Sequence, residues 1–90
     1  MKYEIHPALD KLLSKLAKRD KFHGALVLKK IDEIAQGQDI DHYRNLRAPL
    51  QRYKRVHVYS SFVLLFRLEK DTIIFRTYDH HDEIYLFSDA

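Results

Sequence analysis

The sequence predicts an α+β fold with the element order β-α-α-β-β-β-β. Two observations predict it. Apolar residues recur at helical spacing between residues 7 and 37, and three runs rich in β-branched and aromatic residues follow one another from residue 53 onward. Helices and strands are therefore segregated along the chain. We expect two antiparallel helices packed on a mainly antiparallel, twisted sheet.

The first 37 residues carry one strand and both helices. Residues 2–6 alternate apolar and polar side chains, as at a sheet edge, and Pro7 suits the first turn of a helix that ends at Arg19. Asp20 is a candidate N-cap for the second helix, and Gly37 is a natural C-terminal stop. The predicted buried stripes consist of Leu9, Leu12, Leu13, Leu16 and Ala17 in the first helix and Leu28, Ile31, Ile34 and Ala35 in the second.

The rest of the chain forms a predicted meander of strands. Residues 43–46 start one strand, and residues 62–68 are apolar enough for a buried central strand. Residues 69–71 make a short polar turn into the last run. The C-terminal sequence HHDEIYLFSDA is compatible with one helical turn and with a last short strand, and both interpretations stay open.

Strand alternation assigns the side chains of this meander to two faces. One face of the first run is basic and aromatic and the other is apolar. The basic face carries Tyr53, Arg55, His57 and Tyr59, and the apolar face carries Val56 and Val58. In the last run, Thr72, Ile74, Arg76 and Tyr78 are expected on one side, and Ile73, Phe75 and Thr77 on the other.

Composition limits the class of protein. Ninety residues with 46% hydrophobic content, two glycines and two prolines predict one domain that covers residues 1–90. The chain has no cysteine, so it has neither a disulfide framework nor a thiol nucleophile. Its longest apolar run is too short to span a bilayer, and the N-terminus lacks the apolar core of a signal peptide. We therefore expect a cytoplasmic protein with no membrane partner.

Positive charge is concentrated in the middle of the chain. The net charge is +3, and five basic residues occur there with no acidic residue among them. We call this group the basic stripe; it consists of Arg44, Arg47, Arg52, Lys54 and Arg55. Such a stripe favours a polyanionic partner, because each neutralised phosphate releases counterions. Charge alone is equally compatible with a solvated loop.

Residues from about position 43 onward carry a family resemblance. Leu46 precedes a tyrosine-led strand with a histidine, residues 53–58, and an apolar strand follows at residues 62–68. Near the C-terminus, His81 lies three residues before the pair Ile84 and Tyr85. With these features, the chain resembles the RelE/ParE superfamily of prokaryotic toxins, which are partners in toxin–antitoxin pairs. Within it, the chain is most similar to the YafQ-like and RelE mRNA interferases.

This resemblance implies a toxin that cleaves mRNA, in the ribosomal A site, without a metal or cofactor, and that a cognate antitoxin neutralises. Such cleavage requires removal of a 2′-hydroxyl proton, attack on phosphorus and protonation of the leaving 5′-oxygen. Histidines titrate in the required range, and a cation must offset charge on the phosphorane. The resemblance implies that the acid–base pair consists of His57 with either His81 or His80, that Arg55 or Arg76 supplies positive charge, and that Tyr85 stacks on a base. The basic stripe is the expected RNA-binding surface.

The C-terminal histidines fit two registers of the family. The YafQ-like ending selects His81, and the ending of many other members selects His80. We favour His81. Adjacent histidines rarely converge on one metal ion without further ligands, so the pair does not predict a metal site.

Four residues depart from the family patterns. Arg44 and Ser61 stand where YafQ-like toxins have a histidine and an aspartate, and Val63 and Asp79 stand where RelE has arginines. Two other hypotheses stay open, and these departures favour the second of them. One is a ParE-type toxin that inhibits DNA gyrase by binding. The other is a catalytically degenerate RNA- or antitoxin-binding protein with the RelE fold.

Overall fold

A four-stranded sheet with two helices on one side forms the centre of the molecule. The computed structural model describes residues 2–37, 40, 43–48 and 50–88. Its elements are β1 (Lys2–Ile5), α1 (Pro7–Arg19), α2 (Lys21–Gln36), β2 (Lys54–Tyr59), β3 (Phe62–Glu69), β4 (Thr72–His80) and α3 (His81–Ile84). The strand order is β1-β4-β3-β2, with β1 parallel to β4 and the other pairs antiparallel. The predicted α+β fold is confirmed.

Local signals fix the ends of both long helices. His6 caps α1, since its Nδ1 accepts a hydrogen bond from the Ala8 N–H at 3.1 Å. Asp20 caps α2 as predicted, because its Oδ1 accepts from the His23 N–H at 3.1 Å. The two helices approach closely at Gly24, where a Cβ atom would lie 3.0 Å from the Cα of Ala17. None of the helices in the described part of the chain is long and apolar enough to cross a membrane.

The larger core lies between the helices and the sheet. Buried residues of α1 and α2 pack there against Leu64 and Phe66 of β3 and against Phe75 of β4. The predicted stripe of α2 is wrong at Leu28, which is 51% exposed, while Val27 is fully buried in its place. In α1, Leu12 was expected in the core but is 37% exposed.

A second, smaller core lies on the other side of the sheet. Its buried members are Leu46, Leu50, Tyr53, Val63, Leu65 and Ile84. Leu46 and Leu50, from the segment before β2, and the helical turn α3 thus supply cover on this side. We call this side the open face, because most helical mass lies on the other side.

A β-bulge in β4 overturns one predicted face. The register of β4 against β3 shifts by one residue between Phe75 and Thr77, which leaves Arg76 as the extra residue. Tyr78 therefore lies on the same side as Phe75, in the larger core, and not on the side of Arg76. The strict alternation expected for residues 72–78 is therefore wrong beyond Arg76, at Thr77 and Tyr78.

A second bulge, in β2, changes the position of Tyr59. His57 pairs with Val63 but Tyr59 pairs with Phe62, so Val58 is the extra residue. The Tyr59 ring packs against His23 of α2, with 4.6 Å between ring centroids. The prediction that Tyr59 shares a face with His57 is therefore wrong.

The segment before β2 is less regular than expected. The predicted strand at residues 43–46 is reduced to one antiparallel bridge between Asn45 and Lys54. Two backbone hydrogen bonds, from Leu46 N–H to Tyr53 O at 2.9 Å and from Arg55 N–H to Arg44 O at 3.0 Å, hold it along the edge of β2. At the C-terminus, the helical turn is the interpretation that proves correct.

Candidate active site

The helical turn α3 brings the C-terminal residues back over the open face of the sheet. Ile84, with 1% of its surface exposed, anchors the turn in the smaller core. The His81 N–H donates to Ser61 O at 2.6 Å, which ties the start of the turn to the β2–β3 connection. Residues four apart on a helix lie on the same side, so His81 and Tyr85 are neighbours. Their ring centroids are 5.5 Å apart, in an edge-to-face arrangement.

Two of the predicted histidines meet at this position. His57, exposed on the open face of β2, and His81, exposed at the start of α3, have ring centroids 6.2 Å apart. Their planes are inclined by 24°, so the rings are stacked. Sequence-distant imidazoles thus come together at one surface position.

An arginine and a tyrosine complete this group. The Nη1 of Arg55 donates a hydrogen bond to the hydroxyl of Tyr85, and the Arg55 guanidinium carbon lies 6.0 Å from the centroid of that ring. Tyr85 remains 43% exposed. We call Arg55, His57, His81 and Tyr85 the histidine cluster. It contains four of the six residues that the sequence predicted as catalytic.

His80 has a different role in the structure. Its Nδ1 accepts a hydrogen bond from the Asp82 N–H at 3.2 Å and so caps α3. Its ring lies edge-to-face against Phe62, a residue packed against the larger core, with 5.5 Å between centroids. His80 therefore caps α3 and packs against Phe62, whereas His81 belongs to the histidine cluster.

Asp82 belongs beside the histidine cluster, although sequence reasoning missed it. Its Oδ1 lies 3.2 Å from Nδ1 of His81, and its Oδ2 lies 3.7 Å from Nδ1 of His80. A carboxylate that accepts the Nδ1 proton of a histidine leaves Nε2 as the nitrogen available to a ligand. The signal was present in the sequence, because Asp82 directly follows His81.

Part of the basic stripe lines a groove that leads to the histidine cluster. A cavity of about 510 Å³ is bounded by Arg44, Arg47, Arg55 and Tyr85. A neighbouring cavity of about 360 Å³ continues past Arg55 to His57. We call the two cavities together the arginine groove. A polyanion lying in it would contact these three arginines and His57.

Three other predicted cations have their contacts elsewhere. The Nζ of Lys54 donates to Tyr43 O at 3.3 Å and to Asn45 Oδ1 at 3.0 Å, so this side chain holds the preceding loop. The Arg52 guanidinium carbon lies 5.2 Å from the ring centroid of Tyr53. That of Arg76, at the β-bulge, lies 4.8 Å from the Phe87 ring centroid.

A metal site would require several histidine or carboxylate side chains close together. Within residues 2–37, 40, 43–48 and 50–88, no three histidine, aspartate or glutamate side chains are grouped as a metal ion would require. The arrangement can instead provide two titratable imidazoles, a carboxylate beside one of them, a guanidinium and an exposed aromatic ring.

Comparison of the whole chain with known proteins identifies its family. No family model matches the chain. A protein of Methanocaldococcus jannaschii named "Putative toxin RelE4" is 52% identical over 84 residues, which cover 91% of this chain and 87% of that protein.

Solved structures share the fold. A chain of the YoeB–YefM complex from Staphylococcus aureus has a TM-score of 0.72 at 12% identity, covering 90% of this chain and 97% of that one. YafQ from E. coli has a TM-score of 0.62 at 17% identity, covering 96% and 97%. The toxin–antitoxin complex RelBE2 from Mycobacterium tuberculosis has a TM-score of 0.58 at 20% identity, covering 88% and 95%. The superfamily that the sequence resembles is therefore confirmed, and the chain belongs to the RelE family of toxins of toxin–antitoxin systems.

Proposed function

We propose that this toxin is a metal-independent endoribonuclease that cleaves mRNA, with His57 and His81 as its acid–base pair. The observation that carries the proposal is the 6.2 Å separation of these two imidazoles, contributed by β2 and α3. At this separation both rings can contact one phosphodiester group. General acid–base catalysis needs such groups with a titration range near neutral pH.

In the proposed reaction, one imidazole removes the proton of the 2′-hydroxyl, whose oxygen attacks the adjacent phosphorus. The other imidazole donates a proton to the leaving 5′-oxygen, and the products are a 2′,3′-cyclic phosphate and a 5′-hydroxyl. Protons and charge balance between the two imidazoles, which end with their protonation states exchanged. Asp82, 3.2 Å from Nδ1 of His81, orients that ring so that Nε2 faces the substrate.

Arg55 supplies positive charge to the phosphorane. One of its N–H groups is engaged by the hydroxyl of Tyr85, but a guanidinium has five donors, so others are available to phosphate oxygens. Preorganised donors of this kind are usually the largest contribution to such a reaction. The exposed ring of Tyr85 provides a surface on which a neighbouring base stacks.

The arginine groove supports an RNA substrate, and the family resemblance supports action on the ribosome, in the cytoplasm. Arg44 and Arg55 line both of its cavities, and the smaller one reaches His57, so a bound phosphate backbone would lie beside that imidazole. Family membership, together with the toxin–antitoxin complex RelBE2 among proteins of the same fold, supports a cognate antitoxin as the second partner.

The experiment incubates the purified toxin with an mRNA in the presence and absence of ribosomes and identifies the new RNA ends. Ends with a 2′,3′-cyclic phosphate that are lost in His57→Ala are expected, and any cleavage of ribosome-free RNA should persist in EDTA. Inhibition of DNA gyrase without cleavage would replace the proposal by the ParE-type hypothesis. RNA binding without cleavage would assign the chain to a catalytically degenerate class.

A further inference from the structure

Strand β1 forms an open edge of the sheet. The strand order places β1 at one end, and among the described residues it pairs only with β4. Three of its four residues are exposed, and the last is half-buried. At the other end of the sheet, the bridge between Asn45 and Lys54 covers part of β2. The β1 edge is therefore a place where a further strand can be added.

The outward-facing backbone groups of β1 belong to Tyr3 and Ile5. Successive residues of a strand direct their N–H and C=O groups alternately to its two sides. The His6 N–H donates to Phe75 O of β4 at 2.9 Å, so residues 2 and 4 also direct these groups towards β4. Those of Tyr3 and Ile5 point away from the sheet. Such groups are the ones that bond to an added strand.

The side chains of β1 divide between the two faces of the sheet. The Tyr3 ring lies edge-to-face against Phe75, with 5.9 Å between centroids, and Ile5 packs against the larger core, so both face the helices. Lys2 and Glu4 alternate with them and therefore lie on the open face. Neither forms an ion pair with a described residue. Two opposite charges thus stand two residues apart on one face of β1.

This charge pattern is self-complementary. When two copies of β1 pair in antiparallel orientation about Tyr3, Lys2 of each copy lies opposite Glu4 of the other. The Cβ atoms of directly opposite residues are about 4.5–5.5 Å apart, which is close enough for ion pairs. In this register the two Tyr3 residues also exchange both of their N–H···O bonds, because their backbone groups face outward. Their rings become neighbours on the helix side.

The same charges disfavour the next register of correct phase. Pairing about Glu4 would set the Glu4 carboxylates of the two copies opposite each other, and like charges in that position are destabilising. A lysine on an edge strand usually prevents pairing, because a second copy brings a second lysine. In β1, Glu4 turns this repulsion into attraction when Tyr3 is at the centre.

We propose that two copies of this protein pair through their β1 edges, in an antiparallel register centred on Tyr3. The result is a twofold-symmetric dimer in which the two four-stranded sheets become one continuous sheet. The same surface serves both copies, as a closed twofold interface requires. A different partner strand would have to bring an acidic and a basic residue at the same spacing, whereas a second copy supplies both.

The dimer leaves the histidine cluster accessible. β1 and β2 stand at opposite ends of the strand order, and three strand spacings between them amount to about 14 Å. His57 of β2 therefore lies away from the shared edge, and the dimer carries two separate clusters. The proposal rests on β1 alone and does not depend on ribonuclease activity.

An exchange of charges tests the register. Sedimentation velocity of the full-length protein at low salt, from about 10 μM to 1 mM, covers the affinity range of a small interface. A monomer–dimer equilibrium is expected. Lys2→Glu and Glu4→Lys each set like charges opposite each other, so each should weaken the dimer about tenfold or more. An equimolar mixture of the two variants should dimerise again, because each acidic side chain of one then meets a basic side chain of the other.

Lys29→Glu is the matched control, since it changes the net charge as Lys2→Glu does but at an exposed position of α2. It should dimerise like the parent protein. Tyr3→Pro removes an outward N–H and keeps the bonds to β4, so it should abolish the dimer in a chain that circular dichroism shows to be folded. If Tyr3→Pro unfolds, the mixture of charge variants still decides the question.

Three outcomes would overturn the proposal. A parent protein that stays monomeric throughout the concentration range would refute the dimer. A dimer that persists in both charge variants, or a mixture of them that stays monomeric while the parent dimerises, would place the contact outside β1. Protection of the Tyr3 amide from hydrogen exchange only after a different protein is added would assign the edge to that protein.

Discussion

Replacing each of the two adjacent histidines separately should give opposite defects. His81 lies 6.2 Å from His57 in the histidine cluster, whereas His80 accepts the Asp82 N–H and caps α3. We therefore expect His81→Ala to lose cleavage and keep stability. His80→Ala should lose stability and keep cleavage.

The structure sets the magnitudes. Removal of a general acid or base costs about 10²–10⁴ in rate, which corresponds to about 3–5 kcal/mol of transition-state stabilisation. The His81 side chain is 46% exposed, so His81→Ala should change the free energy of unfolding by no more than about 0.5 kcal/mol. Loss of the N-cap in His80→Ala should cost about 1 kcal/mol. His80→Asn supplies another capping side chain and is the matched control.

The assay combines single-turnover cleavage of an mRNA fragment with urea unfolding of the same preparations. In the parent protein the profile of rate against pH should be bell-shaped, and His57→Ala and His81→Ala should each lose one limb. Normal cleavage by His81→Ala with inactive His80→Ala would refute the assignment. Normal cleavage by both would refute the histidine mechanism and leave the chemistry to the cationic residues.

Three further predictions test the surroundings of the cluster. Tyr85→Phe removes the oxygen that accepts a hydrogen bond from Arg55 but keeps the ring, so cleavage should slow by about tenfold. Tyr85→Ala also removes the ring and should slow cleavage more. Equal cleavage rates in these two variants would exclude stacking of a base on Tyr85. Arg47→Ala should weaken binding of a 20-nucleotide RNA and lower the slope of log affinity against log salt by about 1. Arg52→Ala, outside the arginine groove, is the control. An unchanged slope in Arg47→Ala would contradict RNA binding in the groove. Burial raises the pKa of Tyr78 above its ordinary value of 10.0, so the neutral phenol stabilises the fold fully below pH 10, and this stabilisation is lost as the pH rises towards the folded-state pKa. Urea unfolding from pH 8 to 11 should show this loss in the parent protein and not in Tyr78→Phe. Parallel plots of unfolding free energy against pH for the two proteins would contradict the prediction.

Short-range patterns in the sequence determine the helices and the hairpin of β3 and β4. Asp20 is recognisable as an N-cap because its capping bond reaches only three residues ahead. The β3–β4 hairpin is likewise evident from two runs joined by a short polar turn. Such features depend on residues that are near each other in sequence, so one sequence is sufficient to predict them.

The faces of the strands depend on pairing between distant residues. Nothing local marks Val58 or Arg76 as the extra residue of a bulge, because a bulge is defined by the register against the partner strand. The prediction therefore failed for the three residues beyond the bulges, Tyr59, Thr77 and Tyr78. The choice between His80 and His81 had the same origin. It depends on where β4 ends and α3 begins, and alternation does not extend past that boundary.

The two sides of the sheet differ in how completely they are covered, and this difference explains where the cluster forms. Two long helices bury the side of Leu64 and Phe66, so polar side chains there must be paired, as His23 is with Tyr78. Among the residues that the structure describes, the open face is covered by the segment around Leu46 and Leu50 and by one helical turn. A strand residue such as His57 can therefore stay exposed beside a buried core. The anchor at Ile84 places His81 against it, so one buried side chain of the smaller core determines the geometry of the two imidazoles.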